Sequence, residues 1–469
     1  MRSFVAVLAL SALSANALGA DRPNILVVLT DDHSAPHVGC YANPDIKTPN
    51  LDRFATQGMR FDRAYVTCPQ CVPSRSSIMS GRAPLDTRMT RFSAPLPREV
   101  KVFPELLRAD GYYSGVAGRT YHLDGSRLPN ESRVVFERHN LRTFPDRLDF
   151  VKVGAGSQAM ISQFKEFLDQ VPDGKPFVLQ LCSNDPHRPL DRNAIANPHD
   201  PKALTLPSHY PDTQLVREDF ARYYDEIARF DTAFGTVLDE LDRRKLSENT
   251  LVIFMGDNGC SQLRGKGTLY EFGVHVPLIM RWPGKIKAGS NTSELVSGED
   301  IAPTILEAAG SEIPKEITGR SQLKLLRGEP HQARDYVFSE RGAHGSSLPN
   351  SSSGFDIGRC VITPKYKLIY NVLWQLPYTP VDFAGDSFWR ELQRMNEEGK
   401  IKPELAALYF KPNRPMFELF DLEADPAEMN NLIGSKEAAA IQKELKGALQ
   451  EWMILQRDFA PLPVPPRNR

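Results

Sequence analysis

Several groups of polar residues in this chain have types and spacings suited to chemistry on an anion. Asp31-Asp32 follows the apolar run 24–29, and Asp257-Asn258 follows the apolar run 251–255. Together they offer three carboxylates and one amide, an all-oxygen donor set that selects a hard cation, Ca²⁺ or Mg²⁺, over zinc. A lone Asp-Asp pair is usually a solvated turn. A second acidic pair after a matching strand is what favours a metal site. Cys71-Val72-Pro73-Ser74-Arg75 sets a thiol and a guanidinium four residues apart, where the pattern over 74–79 predicts a helix start. A helix N-terminus suits a negatively charged centre, because its free amides and dipole point at the charge. Cys68-Pro69-Gln70-Cys71 also spells Cys-x-x-Cys, but no second pair exists to complete a zinc site. Arg119 can grip an oxyanion with two parallel bonds yet cannot readily exchange a proton. Lys266 lies between Gly265 and Gly267, which allow a close approach to an anion.

The elements that must position these residues follow from hydrophobic pattern. The runs at 24–29, 113–117, 177–181 and 251–255 are nearly continuous in apolar residues, and helical periodicity fills segments between them, notably 220–241. Strands of that kind alternating with helices predict an α/β domain whose mostly parallel sheet lies between helices. Ligands in such sheets bind beyond the carboxyl ends of the strands, where Asp31, Asp32, His187, Asp257 and Asn258 fall. After about residue 330 the pattern changes to short strands near 336–339, 360–362, 367–370 and 417–420. A helix follows over 435–456 and a Pro-rich tail from 461. This predicts a small antiparallel sheet with a terminal helix. The expected organisation is a signal segment at 1–20, a catalytic α/β domain at 21–330 and a C-terminal subdomain at 331–469. The serine-rich stretch 346–354 reads as a loop.

Composition narrows the partners. A net charge of −1 over 469 residues gives no reason to expect nucleic acid or an acidic membrane surface. An anionic substrate must then be met by local arginine, lysine and metal. Residues 1–20 read as a secretory signal, with Arg2, a short apolar run and small residues near Ala17 and Ala20. The expected protein is secreted or periplasmic, with no membrane span. Removing Cys71 from the six cysteines leaves an odd set, and Cys182 and Cys260 sit in or beside apolar runs as buried thiols. These cysteines assign no disulfide pairing.

The Cys-x-Pro-Ser-Arg run at 71–75, continuing into Ser80-Gly81-Arg82, resembles the signature of the type I sulfatases. The resemblance extends from about residue 24 to 432 and includes the segment 417–422 followed by Asp425-Pro426. It implies an alkaline-phosphatase-like fold: a large α/β domain plus a small C-terminal antiparallel-sheet subdomain. It also implies that a formylglycine-generating or sulfatase-maturating enzyme, reading Pro73 and Ser74, oxidises Cys71 to formylglycine. Ca²⁺, with Mg²⁺ the lesser alternative, would be held by Asp31, Asp32, Asp257, Asn258 and the matured Cys71. Arg75 would hold the formylglycine. Arg119 stands where the family has a lysine, and His122 follows three residues on, as in iduronate-2-sulfatase-like members. Arg119 would clamp sulfate and His122 would accept a proton. His187 matches the family's strand-end Pro-His and would protonate the departing oxygen, while Lys266 matches the lysine that holds sulfate.

The chemistry of that modification is intelligible on its own. A serine or cysteine that accepted the sulfuryl group would hold an ester as stable as the one it broke. An aldehyde hydrate avoids this: one hydroxyl attacks sulfur, and the other later loses its proton and expels sulfate by C–O cleavage, splitting one difficult step into two easier ones. The expected activity is hydrolysis of a sulfuric ester on a sulfated saccharide. Segments at 370–373, 376–377 and 387–388 are loosely similar to heparan N-sulfatase, which keeps N-sulfoglucosamine open beside O-sulfated sugars. Glu340, Arg341 and His344 are further candidates for sugar recognition. Rival readings are a phosphonate monoester or phosphodiester hydrolase of the same superfamily, a non-catalytic glycan binder, and a thiol oxidoreductase using Cys68 and Cys71.

Overall fold

The computed structural model describes residues 22–89, 95–125, 130–154, 156–344 and 355–463. The expected signal segment and the serine-rich stretch 346–354 lie outside them. The large sheet is built from β1 (Asn24–Thr30), β2 (Met59–Phe61), β3 (Tyr113–Gly118), β4 (Phe150–Val153), β5 (Phe177–Cys182), β6 (Thr250–Gly256), β7 (Leu278–Arg281) and β8 (Ser290–Thr292). Its strand order is β4-β3-β5-β1-β6-β7-β2-β8. From β4 to β6 all neighbours run parallel, while β7 is antiparallel to both β6 and β2.

Every residue of β1 is buried, and its side chains divide by parity. Ile25, Val27 and Leu29 join one core, which includes Ile78, Met79, Ile301 and Ile305. Leu26 and Val28 join the other, with Phe164, Phe167, Phe230 and Phe234. Those partners come from helices on opposite faces: α1 (Cys71–Ser80) and Ile301–Ala308 on one, Ser157–Gln170 and α2 (Gln214–Arg243) on the other. A strand covered on both sides needs apolar residues at every position, which is why the run reads as continuous.

The second sheet is antiparallel throughout, in the order β9 (Val337–Arg341), β10 (Gly358–Ile362), β11 (Tyr366–Asn371), β12 (Phe417–Asp421). Val361, Leu368 and Leu419 pack against Leu445, Leu449 and Met453 of the terminal helix Ala439–Leu455. Between β11 and β12 the chain makes an excursion with two helices, Ser387–Glu397 and Pro403–Tyr409. Their buried Phe388, Trp389, Leu392, Leu405 and Tyr409 pack beside Phe220, Tyr223 and Ile227 of α2. The excursion is thus apolar-docked onto the large domain, and it carries residues 380–386 to the ends of the parallel strands. Among the described residues, no helix is long and apolar enough to cross a membrane.

Candidate active site

Register brings the acidic pairs together. Thr30 and Gly256 are partners at the carboxyl ends of β1 and β6, so Asp31-Asp32 and Asp257-Asn258 leave the sheet side by side. The Asp32 amide donates to Asp257 Oδ1 at 3.0 Å, and Asn258 Nδ2 donates to Asp32 Oδ1 at 2.9 Å. Asp31, Asp32, Asp257 and Asn258 are fully buried. Tyr223 of α2 donates to the Asp32 carbonyl at 2.9 Å, fixing the turn in which Asp32 has φ +65°.

Helix α1 begins at Cys71 rather than at Ser74, and all ten of its residues are buried. Its first turn therefore faces the carboxylates. Cys71 Sγ lies 3.3 Å from Asp31 Oδ1 and 3.8 Å from Asp32 Oδ1. One turn on, Arg75 Nε donates to Asp257 Oδ2 at 2.7 Å, and its Nη2 lies 3.2 Å from Asp31 Oδ2. Ser74 Oγ donates to the Asp257 carbonyl. All six cysteines are free, so Cys68 and Cys71 share no disulfide.

The remaining groups come from neighbouring strand ends. Beyond β3, Arg119 Nε lies 2.5 Å from Asp31 Oδ2 and 3.0 Å from His122 Nε2, while its Nη1 donates to Asn184 Oδ1. Gly118, at φ +86°, makes this turn possible, since a side chain there would collide with the Cys182 carbonyl. Beyond β5, His187 Nδ1 donates to the Arg188 carbonyl, and the ring presents Nε2 to Asp32 Oδ2 at 3.8 Å. Arg229 of α2 anchors that segment, bonding both Asp185 oxygens at 2.8 and 3.0 Å. Lys266 Nζ reaches Asp32 at 2.8 Å. The glycines beside Lys266 serve backbone packing rather than anion approach. A side chain at Gly265 would strike the Cys260 carbonyl, and one at Gly267 would strike Val381. The Gly267 amide donates to the Pro69 carbonyl at 2.8 Å, tying the lysine loop to the approach of α1.

Burial and neighbours set the charges. Asp31 sits well below the usual carboxylate range: burial works against this, but the Arg119 and Arg75 guanidiniums outweigh it. Asp32 and Asp257 are pushed up by burial and by the other carboxylates, with Lys266 and Arg75 respectively opposing. The Cys71 thiol is pushed up by burial and by Asp31, so as a thiol it is no ready nucleophile. Burial, then Arg119, holds His122 well below its ordinary value, and burial, then Lys266, holds His187 near 3.

A divalent cation fits this donor set. Asn258 Oδ1 is buried without a hydrogen-bond partner, and the crowded carboxylates resist carrying their full charge. Ligand atoms of Asp31, Asp32, Cys71 and His187 lie within 4.8 Å of one another. His187 thus stands among the donors, a position not read from sequence. Asp257 has one oxygen on the Asp32 amide and the other on Arg75.

The structure brings together Asp31, Asp32, Cys71, Arg75, Arg119, His122, His187, Asp257, Asn258 and Lys266. Of the three sugar-recognition candidates it brings only His344, whose Nε2 lies 3.4 Å from Asp382 Oδ1. Glu340 and Arg341 lie in strand β9, and both are buried. Glu340 lies opposite Arg359 in the sheet, and Arg341 is ion-paired to Asp356 at 2.7 Å. Sequence reasoning missed Asp382, which pairs with Lys266 Nζ at 2.7 Å, and Asn184. Asn184 lay inside the noted strand-end segment; Asp382 follows no strand and gave no such signal.

A family model described as Sulfatase matches residues 23–311, and one described as N-sulphoglucosamine sulphohydrolase, C-terminal, matches residues 260–386. The chain is 31% identical to human arylsulfatase A, over 95% of this chain and 90% of that one. It is 28% identical to an ulvan-active sulfatase of Formosa agariphila, over 94% of this chain and 76% of the relative. A solved structure of a protein in complex with its substrate D-glucosamine-2-N,6-O-disulfate superposes with a TM-score of 0.69 at 22% identity, covering 94% of this chain and 99% of that chain.

Proposed function

The chain belongs to the sulfatase family and is a sulfuric ester hydrolase; we propose that its substrate is a sulfated saccharide and that its working nucleophile is a formylglycine hydrate made from Cys71. The observation that carries this reading is Cys71 at the first position of a fully buried helix, within 3.3 Å of Asp31 and opposite a set of oxygen donors. An unmodified thiol there is held protonated, so the position makes chemical sense as a precursor. The formylglycine hydrate would supply two hydroxyls, one able to attack sulfur and the other able to expel sulfate afterwards. Asp31, Asp32, Asp257 and the unpartnered Asn258 oxygen would hold Ca²⁺, which when bound draws charge from sulfate oxygens and favours ionised hydroxyl.

The chain's own groups would do the rest. Arg75, fixed by two carboxylates, holds the α1 turn and residue 71 in place. Lys266, paired with Asp32, and Arg119, paired with Asp31, bring positive charge to the sulfate. His187 presents Nε2 toward the leaving oxygen. A bound dianion or monoanion beside it favours the protonated ring, which burial otherwise disfavours, and so a proton is available to the departing oxygen. His122 is set against Arg119 and would accept a proton when sulfate leaves. The division near residue 330 separates two sheets, and the second unit contributes Asp382 and His344 to the same cleft.

A second reading, removal of N-linked sulfate from glucosamine, is favoured by the C-terminal model match over 260–386. The deciding experiment screens defined O- and N-sulfated saccharides with enzyme co-expressed with a maturase, alongside peptide mass spectrometry of residue 71. The expected result is sulfate release together with a peptide that has lost one sulfur and two hydrogens and gained an oxygen. Cys71→Ala should fold normally and release no sulfate. Full activity in that variant, or an unmodified thiol in fully active enzyme, would overturn the reading.

A further inference from the structure

The carboxylate of Asp382 is not needed for any step above. Lys266 already has Asp32, at 2.8 Å from Oδ1 and 3.1 Å from Oδ2, so neutralising the lysine does not require a second acid. Yet Asp382 Oδ2 lies 2.7 Å from Lys266 Nζ and 3.6 Å from His187 Nε2, and Oδ1 lies 3.4 Å from His344 Nε2. Its side chain is 26% exposed where Asp31, Asp32 and Lys266 are at zero, so it stands at the mouth of the site.

The position is fixed independently of those contacts. Asp382 has φ +69°, in the left-handed region that few residues other than glycine, asparagine and aspartate enter. On one side Val381 is buried against Gly267. On the other Phe383 is fully buried, stacked on Phe388. Four residues on, Asp386 accepts from Arg188 Nη1 at 2.6 Å, and Arg188 in turn pairs with Asp219 of α2. The excursion between β11 and β12 therefore presents a preset negative charge to whatever occupies the cleft.

We propose that Asp382 is a specificity-determining residue that reads the substituent next to the scissile sulfate, accepting a hydrogen bond from a hydroxyl or amino group there and rejecting a second sulfate or a carboxylate. This rests on the reading that Lys266 holds the sulfate and His187 addresses the leaving oxygen. A carboxylate touching both groups then faces the carbon beside the scissile bond. An anion there would meet a fixed like charge, whereas a hydroxyl or amine would donate to it. Specificity gained by a repulsive element is as effective as that gained by an attractive one.

The test uses matured, full-length enzyme and three aryl probes: phenyl sulfate, with no neighbour; catechol monosulfate, with a neighbouring hydroxyl; and catechol disulfate, with a neighbouring sulfate. Wild type should prefer the monosulfate over the disulfate in kcat/KM, and Asp382→Asn should narrow that preference by on the order of a hundredfold. Asp382→Ala should also erase the advantage of the monosulfate over phenyl sulfate. Ratios between probes within one preparation do not depend on the folded fraction. Equal losses on all three probes, the signature of a carboxylate that merely steadies Lys266, would overturn the proposal. Absence of turnover on these probes and on the sulfated saccharides of the screen above, by enzyme shown to carry the matured residue 71, would overturn the underlying reading of Lys266 and His187, and the proposal with it.

Discussion

Among the described residues, two lysines have side chains wholly buried between two carboxylates, and they do different things. Lys266 lies between Asp32 and Asp382, at 2.8 and 2.7 Å. Lys367 of β11 lies between Glu271 and Glu428, at 2.6 and 3.0 Å. Around Lys266 the count is unequal: Asp31, Asp32, Asp257 and Asp382 face Arg75, Arg119 and Lys266, an excess of one negative charge. Adding a divalent cation turns this into an excess of one positive charge, which a sulfate monoester cancels. Around Lys367 the two glutamates are tied to other groups of the fold: His275 lies 3.1 Å from Glu271, Tyr65 donates to the same carboxylate at 3.3 Å, and the Glu271 amide donates to Glu428 at 2.6 Å. It joins the antiparallel sheet to the segment that follows the Lys266 loop. Buried charge alone therefore does not mark a site; what sets the first cluster apart is that Cys71, Arg119 and His187 converge on its carboxylates.

Replacing each lysine by methionine breaks the comparison most sharply if it is wrong. Lys266→Met should lower kcat/KM by roughly a thousandfold, because a positive charge aimed at sulfate is lost, with a small change in stability when Ca²⁺ is present. Lys367→Met should leave two glutamates buried without their cation and cost roughly 3–5 kcal/mol of stability, with the specific activity of the folded enzyme within a few-fold of wild type. Denaturant unfolding and initial rates measured on the same samples decide the matter. Loss of stability in the first variant and of activity in the second would reverse the assignment.

These two environments were unequally legible in the sequence. The strand ends were readable because β1 and β6 are covered on both faces. Continuous apolar runs stop where the chain meets the cleft, and polar residues placed there can only be turns or ligands. The orientation of Glu340 and Arg341 was not readable in that way. A short strand that faces a helix on one side and the large domain on the other buries both parities, and the charges fell opposite Arg359 and beside Asp356. Asp382 was beyond reach for a different reason. It is delivered by an excursion whose docking depends on Phe383, Phe388 and Trp389 meeting α2, a contact between segments far apart in sequence. The expected helix at 220–241 was part of a longer one, Gln214–Arg243, since its first turns are stabilised by that same docking.

A smaller effect sharpens the charge count. If the excess negative charge around Asp32 is what binds a cation, Ca²⁺ should stabilise the fold, by about 2.7 kcal/mol at a hundredfold excess over its Kd. Chelation should reverse it. The stabilisation should be retained in Lys367→Met and be lost in Asp257→Ala. Thermal unfolding with and without Ca²⁺ reads all of these. Equal stabilisation of the Asp257 variant would place the ion elsewhere.

The smallest effect, taken per pH unit, concerns Glu340, which burial pushes up to about 8, with Arg359 opposing and Asp458 adding to the rise. Arg359 spends its Nε and Nη2 on Asp458, at 2.5 and 2.8 Å, and Glu340 Oε2 has no hydrogen-bond partner, so the carboxyl favours its neutral form. The sign follows from proton binding. Below the ordinary carboxylate range both folded and unfolded chains hold this proton. Between that range and about 8 only the folded chain does, so stability falls as pH rises across the interval, and above it both forms have lost the proton. Glu340→Gln removes the term. Wild type should therefore lose up to about 1.4 kcal/mol per pH unit relative to the variant across that window. Saccharide turnover by the variant should match wild type, since Glu340 lies outside the cleft. Parallel stability curves for the two proteins between pH 5 and 8, checked by urea unfolding, would show that Glu340 is ionised in the fold and that Arg359 is its partner after all.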